Sequence, residues 1–456
     1  MTESTRSRSA VCFVATGILL LSTGNLAGAG NGGGGGGNSD PCLGNKYRDI
    51  CDTFETSLHK TRAGKPRHYN AEHGGFELLT GVPYDDLVCK GCHDPNNTTT
   101  PVPYEPSCFD CHIDTDGDTD SDPFNDPVTD DTCRGCHSRQ NAERAFPDVH
   151  RDRGMGCMDC HHEDEVHGDG VAYESLQEPG ALKVSCTQSG CHNTEDLLKP
   201  ARPGKGGTAS SAGVSKRARS FHQKHLETTD CSACHVKTVV ACDSCHFDSE
   251  VVEKKRFYRQ IPQSGFKLLM NRGDKDMTAT YQSLTWGSSD PSIDDVSFYV
   301  LEPFGSHTII DGRRVAPDDD DAVPTTTIEC LDCHLTIKGK GKKKVLEGNA
   351  ALASYLTNGV ITVNQWEPET VDDGNPDTYG TLLAPQGVIP VVPDWEDALQ
   401  FDFVYWTGAP TDPVVRDETG AKWDFLKSGA DMVHMPYGSA LTEDQIDRLI
   451  RSEIRE

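Results

Sequence analysis

Apolar side chains are scarce in this chain. Only 35% of its 456 residues are hydrophobic and 7% are aromatic, a thin supply for an ordinary core at this length. Something besides Leu and Val is therefore expected to fill the interior. Long hydrophobic runs are also missing, and beyond the first 29 residues no segment is apolar enough to span a membrane. Positive charge is short by a wide margin: 43 Lys and Arg face 71 Asp and Glu, for a formal charge of -28. That balance argues against nucleic acid as a partner and favours solubility and basic partners.

Cysteine and histidine are abundant, at 19 and 18 residues. The chain opens with a secretory pattern: Arg6 and Arg8, an apolar stretch from Ala10 to Leu21, and the small-residue site Ala27-Gly28-Ala29. Cys12 would leave with this segment. A retained anchor is the alternative. The reading places the protein in the periplasm or outside the cell. Four regions follow: a signal peptide over 1–29, a Gly-rich leader over 30–41, a cysteine-rich domain over 42–335 and a C-terminal domain over 336–456 without cysteine.

Seven segments have the form C-x-x-C-H: Cys89-Cys92-His93, Cys108-Cys111-His112, Cys133-Cys136-His137, Cys157-Cys160-His161, Cys231-Cys234-His235, Cys242-Cys245-His246 and Cys330-Cys333-His334. This pattern attaches a c-type haem: two thiols add to the vinyl groups and the histidine reaches the iron. An eighth segment, Cys186 to Cys191-His192, holds four residues between its cysteines, and Ser189 and Gly190 can bulge to keep the thiol separation. Zinc favours paired C-x-x-C units without an obligatory trailing histidine. A disulfide framework built from such pairs would close only tiny loops.

Low-spin haem iron takes a second strong ligand. Ten histidines lie outside the motifs. His59, His150, His167, His222, His225 and His307 are favoured by position, and His222 and His225 form an H-x-x-H pair able to serve two centres. His162, His73, His68 and His434 compete for the two remaining places, with Met435 ranked below His434. Cys42 and Cys51 are left over and would pair in an oxidising compartment. The run Asp114 to Asp120 resembles a calcium loop, but His112 and Pro123 stand where such a loop needs ligands, so a solvated acidic turn is preferred to bound calcium. Lys338, Lys340 and Lys342 to Lys344 form a basic cluster beside the last motif, most simply a solvated loop.

The motif count, His150 before Gly154-Met155-Gly156-Cys157, and the paired motifs from Cys231 to His246 resemble multihaem cytochromes of metal- or sulfur-respiring bacteria, with the octahaem group of tetrathionate reductase type nearest. The resemblance covers 50–335. It implies an electron carrier with eight c-type haems, used in anaerobic respiration, working with redox proteins or extracellular acceptors. It also admits a sulfur or nitrogen oxyanion reductase with one open haem, and a subunit of a homopolymeric filament. No C-x-x-C-K is present, as octahaem nitrite reductases would require. The expected fold is a set of short α-helices and irregular loops packed round eight haems, with a small mixed α+β C-terminal region. One face of a final helix is expected from Ile446, Leu449, Ile450 and Ile454, capped by Thr442 and Gln445.

Overall fold

The computed structural model describes residues 42, 46–64, 66–75, 77–84, 106–112, 124, 127–199, 216–246, 259–262, 266–286, 296–311, 330–339, 344–368, 380–383, 387–401, 403–406, 423–426 and 432–451. The signal segment, the motif at Cys89, the acidic run at Asp114, most of the basic cluster and Ile454 lie outside these residues.

Between residues 48 and 235 the described elements are short helices, among them Arg48–Phe54, Leu58–Thr61, Asp130–Cys136, Ser138–Glu143, Glu163–Val166, Lys216–His225 and Cys231–His235. Their starts are set by polar caps. Ser57, Thr129 and Asp230 each accept a backbone N–H from the first turn of the helix that follows. Cys42 and Cys51 form a disulfide.

From Val240 onward the chain is largely β-structure. The strands are β1 (Val240–His246), β2 (Arg259–Pro262), β3 (Phe266–Arg272), β4 (Lys275–Trp286), β5 (Val296–Pro303), β6 (Leu335–Lys338), β7 (Val345–Gly348), β8 (Ile361–Pro368), β9 (Gly380–Leu383), β10 (Gly387–Pro390), β11 (Leu399–Phe401), β12 (Phe403–Trp406), β13 (Trp423–Leu426), β14 (Met432–His434) and β15 (Ile450–Arg451). Seven of them form one sheet. It runs β10-β3-β4-β1-β2, with β5 on the other edge of β4 and β14 beyond β5. The long strand β4 makes this possible: its first half pairs with β3 and its second half with β1. Three-stranded sheets β11-β8-β9 and β15-β6-β7 and the ribbon β12-β13 complete the β-structure.

The expected fold class is therefore corrected. Helices and loops packed round cofactors describe neither the middle nor the end of the chain, which are mixed α+β with sheets over 240–451. The physical reason is burial on both faces of the sheet. β3 is buried at six successive positions, so it lacks the alternation that marks a half-exposed strand. An aliphatic core does form after all, with Leu268, Met270, Leu301, Leu335, Leu352, Ile361, Val363 and Ile389 all at or below 1% exposure. The last helix runs over Glu443–Leu449 with the Thr442–Gln445 capping box, and Ile450 leaves it for β15.

Lys267 is buried within this core, its Nζ 3.4 Å from the Ala233 carbonyl. Burial pushes its pKa from 10.5 down to about 8, against the opposing influence of Cys234, Cys333 and Asp332. A folded-state pKa below the unfolded one means the charge costs stability below about pH 8, and the cost is relieved as pH rises towards 10.5. Lys267→Met is expected to raise stability at pH 7 by about 1–3 kcal/mol. It should also abolish the gain between pH 8 and 10 in urea unfolding. A loss of stability at pH 7 would contradict this.

Candidate metal centres

The motif segments share one closure. His112, His137, His161 and His334 each donate a backbone N–H to the carbonyl of the first motif cysteine, at 2.8–2.9 Å. The expanded segment closes the same way, with the His192 N–H on the Cys186 carbonyl at 3.0 Å. Its two additional residues are absorbed in a loop where Gly190 adopts φ +89°, a left-handed conformation suited to glycine. Neighbouring motifs are also joined: the Cys157 N–H donates to Asp130 Oδ1 at 2.8 Å, and Asp130 opens the helix that carries Cys133 and Cys136.

Six motif histidines face six histidines from elsewhere in the chain. Ring centroids are separated by 6.0 Å for His59–His137, 6.1 Å for His112–His167 and 6.0 Å for His150–His192. The others are 6.2 Å for His161–His307, 6.3 Å for His222–His235 and 6.2 Å for His225–His334. The interplanar angles run from 7° to 74°. Rings in direct contact would change spacing with tilt. Here the spacing stays within 0.3 Å while the tilt varies freely. A common object between the rings has that effect. Metal–nitrogen bonds of about 2 Å on opposite sides of one ion put two imidazole centres a little over 6 Å apart, whatever the twist about the axis.

Several rings are oriented by their second nitrogen. His235 Nδ1 lies 2.9 Å from the Ile310 carbonyl, His225 Nδ1 2.9 Å from the Phe221 carbonyl and His334 Nδ1 3.2 Å from the Leu449 carbonyl. Donation from Nδ1 fixes the tautomer and leaves Nε2 for a ligand role. Burial lowers the pKa of His59, His112, His167, His192 and His222, which favours the neutral, ligating form. His222 and His225 share one helix and reach two different partners, since His235 and His334 belong to separate motifs.

The other histidines are placed differently. His73 Nε2 lies 3.1 Å from Glu72, His162 is exposed ahead of the helix Glu163–Val166, and His434 is buried in β14 with Nε2 3.3 Å from the Arg67 carbonyl. Met435 packs against the aliphatic core. The side chains of His68 and His246, and the whole motif ending at His93, are outside the described residues. Reasoning from sequence missed Asp148, whose carboxylate accepts the backbone N–H groups of His150, Arg151 and Ile309 and so joins two ligand-bearing segments. It also missed the carboxylates of Glu143 and Glu165.

No protein-family model, no curated protein and no solved structure matches the chain. Among the described residues, no group of three or more His, Cys, Asp or Glu side chains gathers as a metal site. The motif thiols also meet across motifs as free thiols: Cys133 lies within hydrogen-bonding reach of Cys157, and Cys186 of Cys231. The octahaem cytochrome, its eight c-type haems and the electron relay of anaerobic respiration are therefore corrected, since no such metal-holding cluster forms among the described residues. The described residues display six two-histidine pairs, with the acidic run outside them, in a mixed α+β chain.

Proposed function

We propose that the protein holds metal centres between pairs of histidines, six of which are visible in its described residues. The carrying observation is the constant ring separation of 6.0–6.3 Å at unrelated tilts. Two imidazoles would supply two donors to each ion, from opposite sides. Among the described residues no third His, Cys, Asp or Glu side chain joins any pair. The chain would also supply the hydrogen bonds that orient the rings, such as those of His225, His235 and His334 to backbone carbonyls.

Export from the cytoplasm accords with the secretory pattern over 1–29 and with the Cys42–Cys51 disulfide. The acidic surface favours a basic partner.

Elemental analysis of the purified full-length chain tests the reading. Bound metal that falls by one ion per chain in His307→Ala is the expected result. A metal-free chain, or a metal content that His307→Ala leaves unchanged, would refute it.

A further inference from the structure

Two pairs of thiols meet across motifs, in each case through the first cysteine of the motif. The side chains of Cys133 and Cys157 share a hydrogen bond, and so do those of Cys186 and Cys231. Backbone contacts hold each pair. The Cys157 N–H donates to Asp130 Oδ1 at 2.8 Å, in the helix that carries Cys133. Gly156 permits this approach, because a Cβ there would stand 2.7 Å from the same oxygen. Asp230 Oδ1 accepts the Ser232 N–H at 2.8 Å and fixes Cys231 at the start of its helix. The His192 N–H on the Cys186 carbonyl, at 3.0 Å, closes the facing loop. All four are free thiols, whereas Cys42 and Cys51 are joined.

We propose that Cys133–Cys157 and Cys186–Cys231 are sites of disulfide formation, closed by exchange with an external disulfide of the oxidised glutathione class. Bridges inside one C-x-x-C unit would close only tiny loops. These bridges close 133–157 and 186–231, loops long enough to restrict the unfolded chain. Each ties together two histidine-bearing segments, those of His137 and His161 or those of His192 and His235. The proposal stands on thiol geometry and is independent of the metal reading.

One cysteine thiolate attacks a sulfur of the external disulfide, forms a mixed disulfide and releases one thiolate. The second cysteine gives its proton to that thiolate. Its own sulfur then attacks the first cysteine and releases the other half of the oxidant, which takes up the proton the first cysteine lost. Two cysteine thiols are oxidised, and one disulfide is reduced to two thiols. The Cys186–Cys231 bridge forms first. Cys186 is exposed, and its hydrogen bond to Cys231 brings that thiol from 9.0 down to about 7, so a reactive thiolate is present at neutral pH. Cys133 and Cys157 are half-buried, and burial pushes the Cys157 thiol up to about 12.

The test is peptide mapping of the purified full-length chain after graded exposure to oxidised glutathione, with remaining thiols alkylated under denaturing conditions. Peptides holding Cys186 and Cys231 are expected to be joined first and those holding Cys133 and Cys157 later. Two alkylatable thiols are lost per bridge. In Cys186→Ser, Cys231 is expected to stop at the mixed disulfide with glutathione while the Cys133–Cys157 bridge still forms. Bridges within motifs, such as Cys133–Cys136, would overturn the proposal. So would the four cysteines remaining alkylatable at saturating oxidant, or neither bridging nor alkylating. Metal content measured on the same sample separates the two readings: a metal-free chain that forms both bridges overturns the metal reading alone.

Discussion

Replacing both His222 and His225 by alanine removes two bis-imidazole centres per chain, and each single replacement removes one. The two histidines sit on the helix Lys216–His225, three positions apart, and face His235 and His334 at 6.3 and 6.2 Å. They touch different motifs, so their losses add. Alanine is the better helix former, and the helix is expected to persist in circular dichroism. Elemental analysis should then show one metal ion fewer per chain in each single variant and two fewer in the double variant. If both single variants disturb the same centre, or neither disturbs any, the separate assignments fail.

Asn349→Ala is expected to cost about 2–4 kcal/mol, because it leaves buried carbonyls unpaired and removes a helix cap. Asn349 is 4% exposed. Its Nδ2 donates to the Asp332 carbonyl at 2.8 Å and the Val388 carbonyl at 2.7 Å, while Oδ1 accepts the Leu352 N–H at 2.8 Å. One amide thus ties together the motif helix Cys330–Cys333, strand β10 and the start of the helix Ala350–Asn358. Beside it, a Cβ at Gly348 (φ +118°) would overlap the His334 carbonyl, so the turn into Asn349 admits only glycine without rearrangement. Urea unfolding monitored by tryptophan fluorescence gives the stability change. A loss under about 0.5 kcal/mol would mean that water replaces these bonds.

The C-x-x-C-H segments are plain in the sequence, but the covalent haem chemistry they suggest is not what the described residues show. The short helices do follow from caps such as Thr129 and Asp230. What a histidine faces is not local. His161 meets His307, and His225 meets His334, across more than a hundred positions. Such pairings are fixed by chain path, through contacts such as the Val149 N–H on the Ile309 carbonyl and the Lys237 N–H on the Thr308 carbonyl. The seven-stranded sheet was hidden for another reason. β3 carries Lys267 and Asn271 in a continuously buried run, so neither period two nor uniform hydrophobicity marks it. Asn271 is accommodated because its amide donates to the Ala440 carbonyl and exchanges hydrogen bonds with the Gln445 side chain. Buried polar residues with distant partners are the kind of feature that composition leaves invisible.

The most direct test of the two-histidine centres is to count bound metal ions per chain in the purified full-length protein and probe their coordination by X-ray absorption. At least six metal ions per chain, each with two imidazole ligands, is the predicted result. A metal-free chain would contradict it.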